Sequence, residues 1–201
     1  MPIPEHYLHK PSKEEINDLP IRRYEGPVEV IRTQEELDLA LPRLARPGVL
    51  GFDTESRPSF RKGKYYPPSL VQLAAADTVF IIQLVWLPLG DTLAALLADP
   101  HILKVGAAIH DDFKELQKLH DFTPAGVVDL GDFAERLGLA TYGLRSLAAN
   151  LMGVRISKAA RCSNWAGKKL NAQQINYAAT DAWIGRELYF KLKELEWEAE
   201  H

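Results

Sequence analysis

The chain has 201 residues, of which 46% are hydrophobic and 25% charged, with a single cysteine and a formal net charge of −3. That length allows one ordinary domain, and that balance excludes disordered, collagen-like and coiled-coil classes. A lone Cys162 rules out an internal disulfide, no apolar stretch approaches the ~20 residues of a membrane span, and Met1 is not followed by an apolar leader, so a cytoplasmic protein with no membrane partner is expected.

Residues 1–25 are polar and Pro-rich and read as an arm carrying one short helix, opened by a Ser12/Glu15 capping box and stopped at Pro20. Residues 26–201 are expected to form the domain. Residues 28–32 read as a strand. Thr33 and Glu36 form a second capping box, opening a helix to Leu41 or beyond with a stripe of Leu37, Leu39 and Leu41. After a Pro47-Gly48 turn, residues 49–53 are too short for a helix and apolar enough for a central strand. A loop of Pro, Arg, Lys and Tyr follows, then residues 69–74 and 79–84 as a hairpin. From Gly90 the pattern changes to a helix through 98, a strand at 104–107, a helix at 110–119, a strand at 127–129, and mostly helix to the end. Strands alternating with helices after an antiparallel first half predict an α/β fold, a mixed sheet flanked by helices.

Charge is sorted along the chain. Residues 136–180 contain no Asp or Glu but seven Arg and Lys, and residues 56–76 contain four with no carboxylate; these +7 and +4 leave −14 on the remainder of a chain of net −3. Such sorting can present a basic surface to a polyanion despite an acidic total, although either run alone also fits a solvated face.

Asp53-Thr54-Glu55 closes the apolar run, and strand alternation puts both carboxylates on one side. Two like charges that close are costly unless a cation joins them. An isolated pair of this spacing equally fits loop acids after a strand. In the last helix, which starts with an Asn171/Gln174 cap, Tyr177 and Asp181 stand one turn apart above an apolar stripe of Ile184, Leu188 and Leu195. A core-facing Asp needs a partner, and a metal ion shared with Asp53 and Glu55 would supply one. Between these segments the 104–107 strand runs into a helix that opens with His110, Asp111 and Asp112. Acids there also suit a helix N-terminus, and a lone His more often caps or faces solvent.

Together, Asp53-x-Glu55, Asp112 after the Lys104-Val105-Gly106 strand, and Tyr177-x-x-x-Asp181 resemble the three motifs of the DEDD 3′-to-5′ exonuclease superfamily in its tyrosine branch. Histidine-branch members place a His five residues before the final Asp, where this chain has Asn176. The segment 161–165, Arg-Cys-Ser-Asn-Trp, is similar to Werner-type exonuclease domains, with ribonuclease D more distant. The resemblance spans roughly residues 28–192 and implies an RNase H-like fold; with no appended helicase or nucleic-acid-binding domain read in the 201 residues, a stand-alone nuclease domain is expected. It further implies two divalent ions, Mg²⁺ or Mn²⁺, with Asp53 bridging them, Glu55 and Asp181 completing one site, Asp112 supporting the other, and Tyr177 orienting water. The implied substrate is single-stranded or 3′-recessed DNA or RNA.

Arg57, Phe60, Arg61, Lys62 and Lys64, with Tyr65 and Tyr66, mix cations and aromatics in a way that suits unpaired bases and their backbone, and equally a solvated surface loop. Lys168 and Lys169 join them as candidate nucleic-acid contacts. Trp165, Trp86, Trp183 and Trp197 are assigned to packing, Cys162 to a small buried hydrophobe, and Gln72 to fixing a loop by hydrogen bonding. Two other readings compete: a nucleic-acid-binding module without catalysis, and a phosphatase using Asp53 as nucleophile. The second leaves Tyr177 and Asp181 without a purpose.

Overall fold

The computed structural model describes residues 3–46, 48–61 and 63–201; Pro47 of the expected turn and the candidate contact Lys62 lie outside the described residues. Among the described residues six strands, β1 (Val28–Ile31), β2 (Val49–Ser56), β3 (Pro68–Ala74), β4 (Val79–Gln83), β5 (Leu103–Gly106) and β6 (Val127–Asp129), form one sheet in the order β1-β4-β3-β2-β5-β6. β2, β3 and β4 are antiparallel neighbours, whereas β1 joins β4, β5 joins β2 and β6 joins β5, all in parallel. The mixed sheet expected from the sequence is therefore present. β2 is longer than its apolar run because β3 stays paired with it through Glu55, beyond which the register shifts. Asp53 and Glu55 consequently sit in the strand itself, held by the ladder.

Helices cover both faces. Val71, Leu73, Phe80 and Ile82 pack in one core with residues of α2 (Gln34–Leu44), α3 (Asp91–Ala98) and α4 (Ile109–Gln117). Leu70, Ala74, Val79 and Ile81 pack on the other side with Ala178, Ala179 and Ala182 of the long α7 (Ala172–Glu200). Covered on both faces, β3 and β4 are buried along their whole length. α5 (Leu130–Arg136) and α6 (Leu144–Met152) complete a third cluster with the C-terminal half of α7.

α2 corrects the expected stripe. Leu39 is 77% exposed, whereas Leu37 is buried and Leu41 is partly buried against the same core with Ala40 and Leu44, because a helix face recurs at three or four residues and Leu39, two from each neighbour, lies off it. The C-terminal half is also less helical than expected. Gly153 ends α6 in the left-handed region at φ 63°, and the chain from there to Asn171 runs as loop.

Two contacts matter for the site. α7 lies so close to β2 that a Cβ on Gly51 would stand 2.0 Å from the Ala182 carbonyl oxygen. The arm, with a short helix α1 (Lys13–Asp18), is pinned to the same region: Ile21 bridges Arg155 in parallel, the Tyr24 amide donates to Thr180 Oγ1 at 3.0 Å, and Asn176 Nδ2 donates to the Tyr24 carbonyl at 3.2 Å.

Candidate active site

Pleating turns Gly51, Asp53 and Glu55 to the α7 side of β2. Glycine at 51 lets α7 descend, and Asp181, one turn after Tyr177, then meets the strand. A carboxylate oxygen from each of Asp53, Glu55 and Asp181 lies within 4.8 Å of the others. Thr54, the intervening residue, points the other way, and its hydroxyl donates to Asp112 Oδ1 at 2.5 Å. Asp112 thus stands beside the trio without belonging to it. Its position follows from the start of α4, where Ala108 adopts a left-handed φ of 59° and the Ile109 amide donates to Asp129 Oδ2 at 3.0 Å. A non-glycine residue there costs roughly 1–2 kcal/mol, and the Asp129 bond helps to hold the turn.

Crowding and desolvation set the electrostatics. Removal from water pushes Asp53 well above the ordinary carboxylate range, with Asp181, Glu55 and Asp112 adding repulsion. The same desolvation, reinforced by Asp181 and Asp112, raises Glu55 to about 8 even though Arg145 and Arg161 oppose it. Asp112 and Asp181 are each raised to about 6 by desolvation; Thr54 restrains the first, and Arg145 with the Tyr177 hydroxyl the second. The cluster is short of positive charge. Tyr177, 7% exposed, has its phenol pushed upward by burial and by Asp181 and Glu55, so it remains a neutral hydroxyl.

Arg145 is the participant that sequence reasoning missed. From the first turn of α6 it donates to the Tyr177 hydroxyl at 3.1 Å and to the Ile156 carbonyl at 2.6 Å. A signal existed: within the acid-free run of 136–180, Arg145 had no local carboxylate and had to serve something distant in sequence. His110 and Asp111 are placed outside the site, paired on the surface with Asp132 at 3.2 Å and Lys114 at 2.8 Å.

The 3′-5′ exonuclease family pattern matches residues 28–196, which contain every one of these groups. The chain belongs to this family. It is 34% identical over 172 residues to a ribonuclease D of Gluconacetobacter diazotrophicus, covering 82% of this chain and 42% of the relative. It is 34% identical over 161 residues to the mouse bifunctional 3′-5′ exonuclease/ATP-dependent helicase WRN, covering 76% of this chain and 11% of that protein. The chain therefore spans less than half the length of either. The solved EXO domain of Aedes aegypti Nibbler superposes with a TM-score of 0.77 at 24% identity, over 89% of this chain and 93% of that one. The fold is the RNase H-like one of ribonuclease D-type exonucleases.

Within this exonuclease fold the two basic stretches meet. Arg57, Phe60, Arg61 and Lys64 line a cleft of about 440 Å³ whose other wall includes Cys162 and Asn164. Phe60 is 86% exposed, and the Arg57 guanidinium lies 4.9 Å from the centre of the Tyr66 ring. Lys168 does not join this wall but stacks on Trp86 at 5.4 Å while its carbonyl accepts from the Trp86 indole, and Lys169 is exposed beside it. Trp165 is fully buried against Tyr177, as expected, and Trp183 is partly buried. Trp86 and Trp197, by contrast, are 46% and 62% exposed, and Cys162 is exposed because its loop faces the cleft. Gln72 fixes no loop: it lies across the ladder from Asp53, fully buried, and its amide has no partner among the described residues.

Proposed function

We propose that the chain is a metal-dependent exonuclease that removes nucleoside 5′-monophosphates one at a time from the 3′ ends of single-stranded or 3′-recessed DNA or RNA. The observation that carries this reading is the convergence of Asp53, Glu55 and Asp181 on one point, desolvated and, among the described residues, in no ion pair. These residues fit a divalent ion, since they offer hard oxygen donors whose mutual repulsion a doubly charged ion would relieve. Such donors suit Mg²⁺ or Mn²⁺, and two such ions stabilise the charge on the attacking and leaving oxygens of an in-line displacement. Asp53, Glu55 and Asp181 would hold one, and Asp53 with Asp112 the other.

The chain's own groups supply the rest. The Tyr177 hydroxyl, kept protonated by its surroundings and aimed by Arg145, orients the attacking water. Arg57, Arg61 and Lys64 hold phosphates while the exposed Phe60 offers a face to unpaired bases. The phosphatase reading gives Tyr177 and Asp181 no role. A time course on 5′-labelled single-stranded DNA, single-stranded RNA and recessed duplexes, each with Mg²⁺, Mn²⁺ or chelator, tests the proposal. Metal-dependent shortening by single nucleotides from the 3′ end is expected; internal cuts, or no cleavage of any substrate, would overturn it.

A further inference from the structure

A second cationic groove leaves the catalytic site, and it is built by the arm. Its narrow inner part, about 50 Å³, has Tyr177 and Asp181 on one side and Arg22, Arg23 and Ser157 on the other. Ser157 also lines a wider part of about 280 Å³, where Lys13, Arg155 and Lys158 stand. The two parts adjoin at Ser157. Among the described residues no carboxylate apart from Asp181 lines either part, and neither Arg22, Arg23, Lys13 nor Lys158 forms an ion pair. Neither part shares a lining residue with the cleft of the β2–β3 loop.

Its walls are held by backbone hydrogen bonds and by Arg155, while Arg22, Arg23, Lys13 and Lys158 are exposed. The Arg22 amide donates to the Arg155 carbonyl at 2.8 Å, the Arg155 amide to the Pro20 carbonyl at 3.0 Å, and Arg155 Nε to the Leu19 carbonyl at 2.8 Å. Arg22 rests over the Trp183 ring at 5.8 Å. Several cations along a lining whose one carboxylate is Asp181, opening beside the acidic cluster, match a string of phosphates better than a compact anion.

We propose that this groove binds the phosphodiester backbone of the strand being degraded, upstream of its 3′ end, so that the arm is part of the substrate-binding surface; the proposal rests on the exonuclease reading of the adjoining site. Binding of 5′-fluorescein 12-mers of single-stranded DNA and RNA is measured in chelator by anisotropy across a salt series. The proteins compared are the full chain, Arg22→Ala with Arg23→Ala, Lys13→Ala with Lys158→Ala, and the control Lys191→Ala with Lys193→Ala. Each groove pair is expected to lose affinity about tenfold and to lower the salt slope by roughly 1.4, at ~0.7 per phosphate contact. Arg22→Lys with Arg23→Lys should restore both, which a structural role for the guanidinium stacking would not allow. Unchanged affinity and slope in both groove pairs would overturn the groove, as would a loss equalled by the Lys191→Ala with Lys193→Ala control. Failure of the unmodified chain to shorten the same 12-mers in Mg²⁺ would instead overturn the exonuclease reading.

Discussion

Arg145 joins the first turn of α6 to the hydroxyl of Tyr177 on α7, at 3.1 Å, and by its second amino group to the Ile156 carbonyl at 2.6 Å. Its charge also lowers the cost of ionising Glu55 and Asp181. Arg145→Met should reduce kcat by roughly 10²-fold, the scale of a misplaced reacting group, with a smaller change in KM. The same variant should move the acidic limb of the pH–rate profile upward, because Glu55 and Asp181 lose an opposing cation. A profile that drops in height without moving would show that Arg145 acts only through position.

Tyr177→Phe removes one oxygen and no ligand. Turnover should fall by about 10² to 10⁴, the range for a lost proton-handling or water-orienting group, while Mn²⁺ titrated by calorimetry binds as before. Loss of Mn²⁺ binding with Asp181 intact would make the hydroxyl a ligand.

Asp53→Asn and Asp181→Asn should each abolish hydrolysis and, in chelator, raise the melting temperature, since each removes a carboxylate held against its neighbours. Each kcal/mol gained is worth about 2–4 °C for a domain of this size. Near-normal turnover under saturating Mg²⁺ in either variant would dismiss it as a ligand.

The raised carboxylates also fix the sign of a pH effect. With Glu55 at about 8 and Asp112 and Asp181 at about 6, against ordinary values of 4.5 and 3.8, the folded metal-free chain binds more protons than the unfolded one between about pH 4 and 8. Stability contributed by these groups is full below the unfolded values and is lost as pH rises through the folded ones. Melts in chelator should therefore drop from pH 5 to pH 8, Mg²⁺ should restore the difference, and Asp53→Asn should flatten it. The series should stop at pH 8, because Lys104, buried with Nζ 2.8 Å from the Asp99 carbonyl and lowered to about 8, gives the opposite slope above that point.

Arg61→Ala with Lys64→Ala tests the cleft of the β2–β3 loop. KM for oligonucleotides should rise and the salt dependence flatten for every sequence, with kcat little changed. Lys191 and Lys193, already paired with Glu194 and Glu196 at 2.7 and 2.5 Å, provide the contrast.

The acids of the candidate site were legible only jointly: alternation for Asp53 and Glu55, one helical turn for Tyr177 and Asp181 and a strand-to-helix junction for Asp112 each also fit a structural role, and it was their combination that resembled a known motif set. The strands were legible locally, being apolar runs closed by turn residues. Arg145, Arg22 and Arg23 had no such signal, since their significance arises only where α6, α7 and the arm converge on Tyr177. Leu39 misled because three leucines at spacing two mimic a pattern without lying on one helical face. Trp86 and Cys162 misled because composition alone does not reveal which loop faces solvent.

Gly51 contributes no functional atom, yet the gap between β2 and α7 is set there, by a backbone carbonyl that would come within 2.0 Å of any added Cβ. The spacing of Asp53 from Asp181 is thus a tolerance held by main chain against main chain. Replacing either acid subtracts a charge and leaves the geometry standing, whereas one methyl group at position 51 would force the two ligand-bearing elements apart together. The least forgiving position of this centre is the one that a search for reactive side chains passes over.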